Sequence, residues 1–341
     1  MNLTKQQCII IKGLAISLIV LHNIVHLLLN IPCNEWSYDY ERTSLFLANL
    51  FTTSSIWYIL SYAGWIGVAL FIFLSGYGLT KKYNQHQTEF KLFSYLKNHI
   101  IKLLKLLLPI YVLYVLFDWG VFHHSTNIIS VLAHMTCTIN ILMYGDSPFI
   151  LSPGVYWFFG LILQLYILFA FIRKLSTKWL WALALGFLLF NYFILYLVSE
   201  DTMLWCRLNF MGWGYPFVLG MIAAKTNISI IEKHKSLVGL LSFIVLCASL
   251  ITKPLTPFIE LSTILCFISI SYSCDNRWVY YLGILSPSIF VIHPFIRMLF
   301  MNCFWHPYHP FIMTVLFIIP VILFSWAHHV ILANTDKLIK H

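Results

Sequence analysis

The chain has 341 residues, 60% hydrophobic and only 10% charged, with a formal net charge of +9. Soluble domains carry about 25% charged residues, so this composition excludes a water-exposed globule. It points to lipid as the solvent, where the exterior must be apolar and each backbone polar group must be satisfied inside a helix. The basic surplus does not point to nucleic acid, because it is distributed as a topology signal.

A helix needs roughly 20 apolar residues to cross a bilayer. In chain order, stretches of that kind are predicted near 9–30, 56–80, 103–122, 154–172, 178–198, 211–226, 237–252, 258–274, 280–301 and 311–333, those at 211–226 and 237–252 being short. The expected fold is all-α and polytopic, with about ten transmembrane helices. If the N-terminus is cytoplasmic, 17 of the 21 Lys and Arg fall on the inner side, leaving Arg42, Arg207, Lys253 and Arg297. The positive-inside rule asks for that bias, and ten spans put both termini in the cytoplasm. Lys12 interrupts the first apolar run and no small-residue cleavage site follows it, so the run is expected to stay as the first span. No repeat or appended soluble domain is seen, and residues 5–335 are expected to form one membrane-embedded domain.

Two connectors exceed a turn. Residues 31–55, with Glu35, Trp36, Asp39, Tyr40, Glu41 and Arg42, and residues 123–153, with His123, His124, His134, Asp146 and Pro148, are expected on the outer face. Acidic and aromatic side chains suit contact with sugar hydroxyls, and they equally suit interfacial belts. Residues 89–107 alternate lysine with apolar residues at helical spacing, as an amphipathic surface helix running into the third span would. The eight cysteines show no metal-type spacing and no metal is expected. Cys33, Cys137, Cys206 and Cys303 fall toward the outer face, and the sequence does not say whether any of them pair.

Polar residues inside a span are costly and usually functional. The first span carries Lys12, His22, Asn23 and His26. At about 100° per residue these four fall within an arc of about 100°, with His22 about 15 Å along the axis from Lys12. One face of this helix must therefore point into protein or water. A desolvated histidine is neutral and can serve as a general base; a packing histidine bonded to a neighbouring helix would look the same in sequence.

Further along come Phe71-Ile72-Phe73-Leu74-Ser75-Gly76, whose small residues permit close helix contact, then Lys102, Lys105 and Pro109. Trp157-Phe158 with Gln164, Pro216-Phe217-Val218-Leu219-Gly220-Met221, and Ile289 through His293-Pro294 complete the series. With the Lys12 to His22 spacing, this ordered set resembles the acyltransferase-3 family of integral-membrane O-acyltransferases over nearly the whole chain.

The resemblance implies transfer of an acyl group, most often acetyl, from cytoplasmic acetyl-CoA or another acyl-CoA to a hydroxyl of an extracytoplasmic carbohydrate, at the plasma membrane. It implies His22 as the catalytic base and Lys12, Lys102 and Lys105 as donor-binding residues. Asn23, His26, Trp157, Gln164 and His293 would shape the cavity. Lysines replace the arginines usual at the first-span and third-span positions, and Gln164 stands where many members carry glutamate. A transporter or flippase of a lipid-linked sugar or small solute is the alternative, and a glycan polymerase or ligase a third. Direct transfer or an acyl-enzyme, the acyl group, the acceptor and the oligomeric state are not read from the sequence.

Overall fold

A computed structural model describes residues 3–29, 38–85, 90–124, 127–142, 153–226, 229–303 and 309–338. Cys33, Glu35, Trp36, Asp146 and Pro148 lie outside the described residues. The described chain is helical, with no strand among its elements.

In chain order the helices are α1 (Lys5–Leu29), α2 (Tyr40–Asn49), α3 (Ser55–Ala63), α4 (Gly67–Gln85), α5 (Leu92–Gly120), α6 (Ile128–Met135), α7 (Ile139–Leu142) and α8 (Trp157–Ile172). They continue as α9 (Thr177–Leu197), α10 (Glu200–Leu208), α11 (Phe210–Lys225), α12 (Ser229–Lys233), α13 (Lys235–Ile251), α14 (Ile259–Ser271), α15 (Arg277–Cys303) and α16 (Pro310–Leu338). Short 3₁₀ turns at Gly64–Ile66, Gly154–Tyr156 and Lys253–Phe258 lead into α4, α8 and α14.

Each of the ten expected apolar stretches holds a helix, and among the described residues eight segments are long and apolar enough to cross a membrane. The two that fall short are α11 and α13, of 16 and 17 residues. The second expected span is not one helix: α3 and α4 meet at the 3₁₀ turn. The basic lead and the third span form one continuous 29-residue helix, α5, with Pro109 inside. At 1.5 Å per residue α5 is about 44 Å long, which exceeds the roughly 30 Å hydrocarbon core, so one end projects beyond it. The short connecting helices are capped by polar side chains: Asp39 accepts from the Arg42 N–H at 2.8 Å and Asn127 from the Ile129 N–H at 2.9 Å. These caps satisfy donors that the first helical turn leaves open.

Two helix crossings bring backbone against backbone. α1 crosses α15 where a Cβ on Gly13 would stand 2.0 Å from the Val279 carbonyl oxygen, and one on Gly283 1.9 Å from that of Ile9. α4 crosses α11 likewise: a Cβ on Gly76 would lie 2.1 Å from the Phe217 oxygen, and one on Gly220 2.1 Å from the Phe73 oxygen. Lipid-facing helices gain little from hydrophobicity against one another, so close packing of small residues holds them. The α11 segment Gly212–Ala223 is buried along its whole length, which is why it can be short: protein, not lipid, surrounds it.

Gly220→Ala should lower the thermal midpoint of the detergent-solubilised protein by an amount equivalent to about 1–3 kcal/mol or more, the usual cost of overpacking. Gly186→Ala, at a site with nothing within 4 Å, should be neutral or stabilising by up to about 1 kcal/mol. Equal effects of the two substitutions would contradict the crossing.

Candidate functional site

The polar arc of α1 faces the interior. His22 is buried, at 3% exposure. Gly64 makes this environment: a Cβ there would sit 2.5 Å from that of His22, so the α3–α4 turn closes directly onto the histidine. The approach sets the Leu60 carbonyl 3.3 Å from His22 Nδ1. A carbonyl only accepts, so Nδ1 carries the hydrogen, and in the neutral form of such a ring the lone pair is on Nε2. One turn on, the His26 ring lies parallel to that of His22, centroids 5.9 Å apart.

His22, Asn23 and His26 line a cavity of about 230 Å³ together with Trp65, Trp157, Trp213 and Arg297. Its walls are otherwise mainly apolar. The Arg297 Nη1–H donates to Asn23 Oδ1 at 3.1 Å, and the Asn23 amide donates to the Ile19 carbonyl at 2.9 Å. The guanidinium is thus tied to the helix that carries the histidine. Arg297 was expected near the outer end of its span and drew attention only as an exception to the charge bias. Its spacing of four residues from His293 puts both on one face of α15, a signal available in the sequence.

Toward the other end of α1, Lys12 lines a second cavity of about 270 Å³ with Ser75, Gly78, Tyr166, Ser286 and Pro287. Two basic basins border it. One holds Lys5, Lys12 and Lys81. The other, lined by Lys82, His99, Lys102 and Lys105, meets the Lys12 cavity at Leu106 and Pro287. Lys12 therefore does not share one pocket with Lys102 and Lys105; they stand at adjoining openings.

Three residues named from the sequence lie outside both cavity linings. Gln164 is not among the residues lining either cavity. Its amide donates to Asn209 Oδ1 at 2.7 Å and its oxygen accepts the Phe210 N–H at 2.9 Å, inside a network that Asn140 completes with a 3.0 Å bond to the same Asn209 oxygen. This network ties α7 and α8 to the junction of α10 and α11. His293 is fully buried, with Nδ1 3.0 Å from the Ile289 carbonyl, and sits behind Phe290 rather than in the cavity wall. His134, expected on an outer loop, is buried and stacked on Tyr111 at 4.7 Å. Burial lowers its pKa, so the ring is neutral.

The tryptophan wall is held from behind. Trp157 stacks on Trp213 with centroids 6.2 Å apart, and the Trp213 indole N–H donates to the Arg207 carbonyl. Arg207 in turn pairs with Glu260 across α10 and α14 at 2.8 Å, with side-chain exposures of 7% and 0%. Neither residue of this pair was singled out from the sequence.

The fold and this interior define a class: a multi-pass helical membrane protein with a buried histidine chamber next to a cavity that opens on basic basins. Residues 9–330 match the acyltransferase-3 model, described as an acyltransferase domain. That is nearly the whole chain, which belongs to this family and is an integral-membrane acyltransferase. No curated protein and no solved structure gives a match.

Removing one member of the Arg207–Glu260 pair, as in Arg207→Met or Glu260→Met, should cost about 3–5 kcal/mol because a buried charge is left uncompensated. The double variant Arg207→Met/Glu260→Met should recover most of the loss. Thermal unfolding of the solubilised variants checks this, and independent, additive losses would contradict the pairing.

Proposed function

We propose that this protein moves an acyl group, acetyl by default, from cytoplasmic acyl-CoA to a hydroxyl of an extracytoplasmic carbohydrate, with ten spans, both termini inside and the plasma membrane as its site. The observation that carries this reading is the placement of His22: a buried ring, its Nδ1 turned to the Leu60 carbonyl, in a chamber aligned along α1 with the Lys12 cavity and the basic basins. A donor bearing several phosphates suits the basic basins, and its uncharged thioester arm suits the mainly apolar Lys12 cavity between them and the chamber.

In this reading the acceptor hydroxyl lies against His22 Nε2, which takes its proton as the oxygen attacks the thioester carbonyl carbon. The oxygen–carbon bond forms, and Arg297, which lines the same chamber, holds the negative oxygen of the tetrahedral intermediate. Collapse breaks the carbon–sulfur bond. The departing thiolate takes the proton back from the imidazolium, and the histidine returns to its starting form. Asn23 orients Arg297; His26 and Trp157 shape the acceptor's side of the chamber. Lys12, Lys102 and Lys105 attract the donor's phosphates as point charges, without the bidentate fork arginine would offer.

His22→Ala should lower acyl transfer in membranes at least about 100-fold, the lower range for loss of a general base, at normal expression. Lys102→Gln/Lys105→Gln should raise KM for acetyl-CoA several-fold and leave kcat nearly unchanged, the pattern for lost uniform binding. Near-normal turnover in His22→Ala would remove the histidine from the mechanism, and an unchanged KM in the double variant would remove the two lysines.

A further inference from the structure

The His22 cavity and the Lys12 cavity share two wall residues, Phe158 and Phe290. Phe158 stands in the first turn of α8, just after the 3₁₀ turn, and Phe290 in the middle of α15. Their rings meet at 5.1 Å between centroids, tilted by 55°, and Phe290 also touches Phe159 at 5.8 Å. That spacing is ordinary aromatic contact, so the two touching rings form part of the wall between the cavities. On one side of it lie His22 and Arg297; on the other lie Lys12, Ser286 and the passage to the basic basins.

Both phenylalanines are partly buried: each packs on core residues with one part of its ring and lines the cavities with another. Phe290 lies between Pro287 and Pro294 within one helix. Each proline removes a helical hydrogen bond, and the one that Pro294 cannot make is to the Phe290 carbonyl, four residues back. The backbone that carries this ring therefore lacks proline-removed helical bonds on both sides, and side chains bond it instead: the Tyr156 hydroxyl donates to the Val291 carbonyl at 2.6 Å and His293 Nδ1 lies 3.0 Å from that of Ile289.

Resting on the acyltransferase reading, we propose that Phe158 and Phe290 are the partition through which the acyl group must pass to reach His22, and that the opening they allow limits transfer to short acyl chains. An acetyl group needs one ring to swing by about the width of a methyl. Each further methylene needs a wider opening, which the neighbouring Phe159 and Trp157 resist. Truncating either ring joins the two cavities and removes the limit.

The test measures labelled acyl incorporation into the envelope fraction of cells making the protein, with acetyl-, butyryl- and hexanoyl-CoA as donors. Wild type should favour acetyl. Phe290→Ala and Phe158→Ala should raise the hexanoyl-to-acetyl ratio about 10-fold or more, since single methylenes in a fitted apolar site discriminate on that scale. Phe290→Trp should depress acetyl transfer while the protein remains folded. An unchanged chain-length profile in both alanine variants, with wild type active, overturns the inference and leaves the acyltransferase reading standing. Wild type inert with all three donors overturns the acyltransferase reading instead. The barrier itself is then read without catalysis: a cysteine placed at Ile19, in the wall of the His22 cavity, should be modified by a methanethiosulfonate added at the Lys102 side faster with Phe290→Ala than without it. Equal rates overturn the partition.

Discussion

The interior depends on helix backbones that touch. α1 carries the polar arc, and it can be held at a fixed height and rotation only because Gly13 and Gly283 let it meet α15 without an intervening side chain. A second glycine crossing fixes α4 on α11, and Gly64 closes the α3–α4 turn onto His22. In a membrane these contacts matter more than apolarity, because lipid competes equally for every apolar surface. A helix rotated by one residue would turn the imidazole by about 100°, out of the chamber.

Given that frame, the chemistry of the chamber follows from what its walls exclude. Three tryptophans, two phenylalanines and a few aliphatic side chains surround two histidines, one asparagine and one arginine. In such surroundings an uncompensated positive charge is costly; Arg297 donates to Asn23, and the Leu60 carbonyl lies at hydrogen-bond distance from His22 Nδ1. In the proposed mechanism His22 is the base and Arg297 the cation that acyl transfer to an alcohol uses. The Arg207–Glu260 pair and the Asn140–Asn209–Gln164 network take no part in that chemistry. They anchor the tryptophan wall and the α8–α11 junction, where misplacement would change the chamber's shape.

The helices were legible because hydropathy and backbone hydrogen bonding leave a membrane segment little choice. The two segments that fell short of a full span are also the two that length alone flagged, and for α11 the cause is burial in protein. The α1 arc was legible because helical periodicity places Lys12, His22, Asn23 and His26 on one side whatever packs against them. What lies opposite was not. Gln164 and His293 have the right chemistry in the right spans, yet which neighbour a helix face meets depends on rotation and crossing, and both side chains turned into packing. Phe158 and Phe290 are two among 28 phenylalanines, and nothing in sequence separates a partition from a core residue. Arg297 was readable in principle, since an arginine one turn beyond a mid-span histidine is rarely there for packing.

Acyl transfer to an envelope glycan adds mass at the cell surface. Mass spectrometry of envelope glycans from cells with and without the protein tests it most directly. A glycan species heavier by one acyl group, present with the wild-type chain and absent without it, is the predicted result and would identify the group moved. Identical glycan masses from the two cell populations would contradict the account.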